Sequence, residues 1–93
     1  MALAFHFEAP DFTQQQYDAL IKEALPDGKL PAGAVMHVAG PREGGGWQVV
    51  DVWESQEALD KYLQERLIPA AQRLGSPRIP PPKAWPVHNM LKA

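Results

Sequence analysis

The stretch Gly33–Glu54, GAVMHVAGPREGGGWQVVDVWE, decides the fold. Two runs rich in β-branched, aromatic and small apolar residues, Gly33–Gly40 and Trp47–Glu54, flank Pro41, Arg42, Glu43 and the three glycines 44–46. Turn-forming residues between two strand-like runs specify a β-hairpin. Successive strand side chains point to opposite faces. In the second run Trp47, Val49, Asp51 and Trp53 therefore share one face, and Val50 and Val52 the other. In the first run Val35 and Ala39 oppose Ala34, Met36 and Val38. Apolar residues on both faces mean that both need cover, by helices on one side and by a second sheet on the other. A sheet-to-sheet homodimer is the expectation.

Outward from the hairpin, the N-terminal side reads as strand then helix. Leu3–Glu8 alternates, with Leu3, Phe5 and Phe7 on one face and Ala4, His6 and Glu8 on the other. Thr13 followed by Gln16 has the form of a capping box, and Tyr17, Leu20, Ile21, Ala24 and Leu25 recur at helical spacing until Pro26, Asp27 and Gly28 stop the helix. On the C-terminal side Ser55 caps a second helix whose stripe is Ala58, Leu59, Tyr62, Leu63 and Leu67. Pro69 should kink that helix or begin a new segment closing at Gly75. Ser76–Lys83, with Pro77, Pro80, Pro81 and Pro82, reads as an extended strap. Ala84–Leu91 reads as a last strand, placed at a sheet edge by Pro86. The result is one α+β domain over residues 1–93, of order β-α-β-β-α-β: a four-stranded antiparallel sheet with two helices on one face.

Composition excludes several classes. A formal net charge of −2 provides no footprint for nucleic acid or an anionic membrane. Cysteine is absent, which removes disulfides, thiolate metal sites and thiol nucleophiles. Met1–Phe7 lacks a basic segment followed by a long apolar run, so no signal peptide is expected, and no apolar stretch approaches the roughly 20 residues of a membrane span. A cytoplasmic location is the resulting expectation. With 93 residues the domain buries a limited share of its surface, another reason to expect oligomerisation.

Asp51 is the most informative polar residue. A carboxylate in mid-strand among valines and tryptophans is desolvated, which suits it to act as a general base unless an arginine or a backbone amide pairs with it or it sits at a sheet edge. His37 lies on the neighbouring strand, and its part depends on register. A five-residue loop, Arg42–Gly46, places it directly opposite Asp51; a four-residue loop turns it to the other face. His88 and Asn89 are adjacent on the last strand, so only one of them can face a pocket; the other would lie at a rim or dimer seam. Trp47, Trp53, Trp85, Tyr17 and Tyr62 could line a site for a planar ligand or simply fill the core. His6, His37 and His88 lack the spacing of a metal site, and a strand rather than a helix follows Gly44–Gly46, so neither metal nor phosphate binding is expected.

The junction Val49-Val50-Asp51-Val52-Trp53-Glu54-Ser55, continued by Glu57-Ala58-Leu59 and Tyr62-Leu63, resembles that of the dimeric α+β barrel superfamily, whose subunits are ferredoxin-like. That group includes small antibiotic-biosynthesis-monooxygenase-like proteins and haem-degrading monooxygenases. His37-Val38-Ala39-Gly40-Pro41, the glycine turn and Pro86-Val87-His88-Asn89 are similar to a subgroup within it. The resemblance implies a pocket between sheet and helices with Trp53 pointing into it, accompanied by Trp47. The haem-degrading branch carries its axial histidine on a helix, whereas Ser55–Leu74 contains none, so a site without a cofactor is implied. Together these readings point to a small cofactor-independent enzyme that takes a proton from, or oxygenates, an aromatic or conjugated small molecule. Asp51 would be the base, His37 its assistant, and Trp47, Trp53, His88 and Asn89 the substrate-binding residues. The alternatives are a non-catalytic module that binds a small hydrophobic ligand, and a structural dimer whose pocket is filled by its own side chains.

Overall fold

In the computed structural model, which describes Met1–Ala93, the capping box forms as the sequence predicts. Thr13 Oγ1 accepts from the Gln16 amide at 3.1 Å, and Gln16 Oε1 accepts from the Thr13 amide at 2.9 Å. These bonds satisfy two of the free amides at the start of α1 (Gln14–Ala24), which buries Leu20 and Ala24. Ser55 Oγ accepts from the Ala58 amide and starts α2 (Gln56–Tyr62).

Pro69 stands in the first turn of a new helical segment, one of the two outcomes the sequence allows. A π-helical turn, Leu63–Leu67, follows α2 directly and passes into α3 (Ile68–Leu74). Within it the Ile68 amide bonds to the Leu63 carbonyl, five residues back, so the helix widens just ahead of a proline that has no N–H to donate. Gly75 ends the run in the left-handed conformation, φ 64°.

The strands are β1 (Leu3–Ala9), β2 (Ala34–Pro41), β3 (Trp47–Trp53) and β4 (Lys83–Pro86), in the spatial order β2-β3-β1-β4 with antiparallel neighbours throughout. The hairpin loop is the five-residue one. Pro41 pairs with Trp47 and His37 with Asp51. Facing residues in a ladder share a side of the sheet, so Leu3, Phe5 and Phe7 of β1 join Trp53, Asp51 and Val49 of β3 on the helix-covered side.

Two strand expectations need correction. A bulge between Ala34 and Met36 leaves Val35 unpaired and sets Ala34 opposite Trp53, so Ala34 packs on the helix side while Met36 and Val38 lie on the outer side. The last strand ends at Pro86 instead of Leu91. After Pro86 only the Val87 amide still bonds back, to the Ala2 carbonyl, and His88 and Asn89 are exposed beyond the ladder.

The core has two parts. Phe5, Phe7 and Trp53 of the sheet pack with Leu59 and Tyr62 of α2, while Phe12, Leu20 and Ala24 pack with Ala70 of α3. Close backbone approach holds the hairpin loop to β1. A Cβ at Gly46, where φ is +87°, would overlap Pro10 Cα, so only glycine fits. On the outer side Met36, Val38 and Trp85 are 40%, 55% and 48% exposed. No helix is long and apolar enough to cross a membrane.

Candidate active site

The two core clusters leave a cavity of about 260 Å³ between the helix-covered side of the sheet and the helices. Its wall is mostly apolar, with Phe7, Leu20, Ile21 and Leu59 among the contributors, and the segment Gly28–Pro31 forms part of it. Of the residues singled out in the sequence, Asp51, His37, Trp47 and Trp53 all line this cavity. His88, Asn89 and Trp85 do not: the first two lie past the end of β4, and Trp85 pairs with Ala4 on the outer side.

Asp51 sits in the interior of β3, only 7% exposed, and both of its carboxylate oxygens have partners. Oδ1 is 2.6 Å from His37 Nδ1, and Oδ2 accepts from the Trp53 indole N–H at 3.3 Å. The five-residue loop produces the first contact by setting His37 across from Asp51. The second comes from the adjacent same-face position on β3, two residues along. A carboxylate only accepts hydrogen bonds, so the contact at Oδ1 assigns the imidazole proton to Nδ1 and leaves a lone pair on Nε2.

That lone pair meets Tyr17. The phenol oxygen lies 2.5 Å from His37 Nε2, and the two rings are nearly parallel, 5° apart with centroids separated by 6.0 Å. The phenol donates and Nε2 accepts. Burial first, then the Asp51 charge and then that of Asp18, push the Tyr17 phenol up to about 12, which keeps its proton in place at neutral pH. Tyr62, packed against Trp53 with centroids 5.4 Å apart, is also pushed up to about 12, by burial first, then by Asp51 and Tyr17, against a lowering by Arg66. Trp47 packs on the other side of the network at 5.4 Å from Tyr17, and its indole N–H is shielded from solvent without a hydrogen-bond partner.

Tyr17 is the site residue whose polar role was not read from the sequence. Its helical spacing assigned it to the apolar stripe of α1 and its ring to the aromatic set. The signal lay in its hydroxyl, because a tyrosine in a buried stripe needs a partner for its O–H, and His37 and Asp51 are polar groups on the sheet face below. The resulting chain, Tyr17–His37–Asp51 with Trp53 behind, can move a proton from the cavity wall to an imidazole that a buried carboxylate holds in one tautomer. No group of three histidine, aspartate or glutamate side chains is arranged to hold a metal ion.

No protein-family model matches the chain, and no curated protein matches it in sequence. Solved structures do match in fold. SnoaB, a cofactor-independent oxygenase from Streptomyces nogalater, superposes with a TM-score of 0.60 at 16% identity, covering 99% of this chain and 96% of SnoaB. A proposed antibiotic biosynthesis monooxygenase from Deinococcus radiodurans gives 0.54 at 11% identity, covering 100% and 98% of the two chains. Another from Chloroflexus aurantiacus gives 0.53 at 22% identity, covering 96% and 94%. With its sheet order, its helices on one side and these matches along nearly the whole length, the chain has the ferredoxin-like α+β fold of the antibiotic-biosynthesis-monooxygenase-like proteins.

Proposed function

We propose that this protein is a cofactor-independent enzyme that removes a proton from an acidic carbon of an aromatic or conjugated small molecule held in the cavity. The observation that carries the reading is the hydrogen-bonded chain Tyr17–His37–Asp51, which ends at the wall of a mostly apolar cavity. The roles differ from the sequence expectation. Asp51 already accepts two bonds, so it orients His37 and balances its charge instead of meeting the substrate. His37 Nε2 is the proton acceptor. It is reached through the Tyr17 hydroxyl, which takes the substrate proton as it passes its own to Nε2. The imidazolium so formed lies 2.6 Å from the Asp51 carboxylate.

For an oxygenation, dioxygen is the co-substrate. The substrate carbanion gives its electrons to dioxygen and forms a C–O bond. The peroxide takes back the proton held by His37, and loss of water turns the original methylene into a carbonyl. The methylene is oxidised, and one dioxygen is reduced to the carbonyl oxygen and one water. SnoaB, a neighbour in fold, is described as a cofactor-independent oxygenase, which supports placing this chemistry on such a scaffold. The exposed apolar outer face of the sheet supports a homodimer as the working form.

Solvent-deuterium exchange into β-tetralone, followed by NMR, tests the proton step. The native protein should accelerate exchange at the carbon between ring and carbonyl, and His37→Gln should remove the acceleration. The apolar lining favours a second reading, ligand binding without turnover; β-tetralone that binds with no accelerated exchange would establish it in place of the first.

A further inference from the structure

The geometry points to an aryl carboxylate as the ligand class of this cavity, with its carboxylate held by Lys29 at the rim and its ring in the apolar interior. The inference rests on the reading of the cavity as a substrate site and adds the chemical identity of the substrate's far end.

Lys29 is the sole lysine or arginine among the residues that line the cavity. Its ammonium has no carboxylate partner: the ion pairs of the protein join His37 to Asp51, Arg42 to Glu8 and Arg73 to Glu23. The neighbouring acid, Asp27, is engaged elsewhere, since its Oδ1 accepts from the Lys29 backbone amide at 3.1 Å. That bond closes a turn which the Gly28 amide also braces by donating to the Leu25 carbonyl at 2.9 Å. Pro26 and Pro31 bracket the segment and restrict it further. The loop thus sets the position from which the lysine side chain starts, and the chain's flexible stem does the rest.

The charged group left without a partner gives the sign of the ligand. Asp51 is the one acidic residue in the lining, and His37 and Trp53 already occupy its oxygens. Lys29 is therefore the charged side chain of the lining that has no partner, so an anionic group placed at the rim gains where a cation or a neutral group does not. Tyr17 on α1 and the rim segment Gly28–Pro31 both face this cavity, so a rigid ring can carry an acidic group to the first and an anionic group to the second.

Fluorescence titration of the intact protein at low ionic strength tests the inference with two probes of similar shape, a hydroxynaphthoate and naphthol. The hydroxynaphthoate should bind roughly three- to fivefold more tightly, the scale of a partly solvated ion pair. Lys29→Gln should equalise the two, Lys29→Glu should reverse the order, and salt at about 0.5 M should narrow the difference. Equal binding of both probes by the native protein, or a preference that survives Lys29→Glu, overturns the role of Lys29 and leaves the cavity reading intact. Failure of both probes to bind overturns the cavity reading and this inference with it.

Discussion

His37 and Asp51 stand opposite one another in the β2–β3 ladder, with Nδ1 of one 2.6 Å from Oδ1 of the other. The contact crosses two strands of the same sheet, so backbone hydrogen bonds hold it in register and no loop has to close to form it. Asp51→Asn tests its chemical meaning. The amide oxygen can still accept from Nδ1–H, but the charge that stabilises an imidazolium is gone. Exchange into β-tetralone should fall roughly 100-fold or more, within the two to four decades usual for acid–base groups, while the Trp53 indole N–H, left without its acceptor, lowers stability by about 1–3 kcal/mol. Undiminished exchange would remove Asp51 from the mechanism.

The chain has two tyrosines, Tyr17 and Tyr62, and both are pushed up from 10.0 to about 12, by burial above all. Absorbance near the tyrosinate band should therefore stay flat through pH 10 in the folded protein and rise there once it is denatured. Between 10 and about 12 the unfolded chain releases protons that the folded chain keeps, so stability falls with rising pH across that window and the contribution is complete below 10. Tyr17→Phe should leave one titration step, belonging to Tyr62, and should slow exchange into β-tetralone. Two steps near 10 in the native protein would contradict the packing of both rings.

Much of the fold was legible because it is encoded locally. Thr13 with Gln16 marks a helix start, and Ser55 another, through bonds spanning three residues. The register of the hairpin was legible only as two alternatives, since glycines 44–46 permit more than one loop length. Contact of Gly46 with Pro10, a residue far off in sequence, accompanies the register that forms. Tyr17 was legible as a helix residue but not as the partner of His37, because that meeting depends on how α1 crosses the sheet. The bulge at Val35 was likewise hidden, for an unpaired residue leaves the hydrophobic alternation ambiguous. Proline at position 86 correctly marked an edge strand, whereas the apolar residues Val87, Met90 and Leu91 extended the expectation past the true end of the ladder.

Gly46 supplies a stability prediction. In Gly46→Ala the new methyl would run into the Pro10 backbone and come within 2.8 Å of the Ala9 carbonyl oxygen, at a φ of +87° that alanine rarely adopts. Strain of this kind costs about 1–3 kcal/mol, and the backbone clash adds to it. The loop must shift away from β1, which strains the hairpin that sets His37 against Asp51. Denaturant unfolding should show the loss, and exchange activity should fall with it. Gly40→Ala is the control, because nothing lies within 4 Å of the place its methyl would take and its φ is not in the left-handed range. A Gly46→Ala protein as stable as the native one would show that the approach to β1 is looser than described.

The outer sheet face supplies the last prediction. Val38 faces Val50 across the ladder and is 55% exposed, with Met36 beside Val52 and Trp85 beside Ala4 on the same side. A patch of this kind, open on one side of a sheet, is stabilised by covering it with a second copy of itself, since a two-fold axis brings identical apolar residues together. Light scattering should therefore give twice 10.3 kDa at micromolar concentration. Val38→Lys separates assembly from folding. In the protomer the ammonium stands in water, because Val38 is already more than half exposed, so helical circular dichroism should be unchanged. In the dimer both copies would be buried without partners, a loss of about 3 kcal/mol or more for each, which raises the dissociation constant roughly 10,000-fold. A native protein that scatters as a monomer would refute the dimer, and a Val38→Lys protein that still dimerises would put the interface on another face.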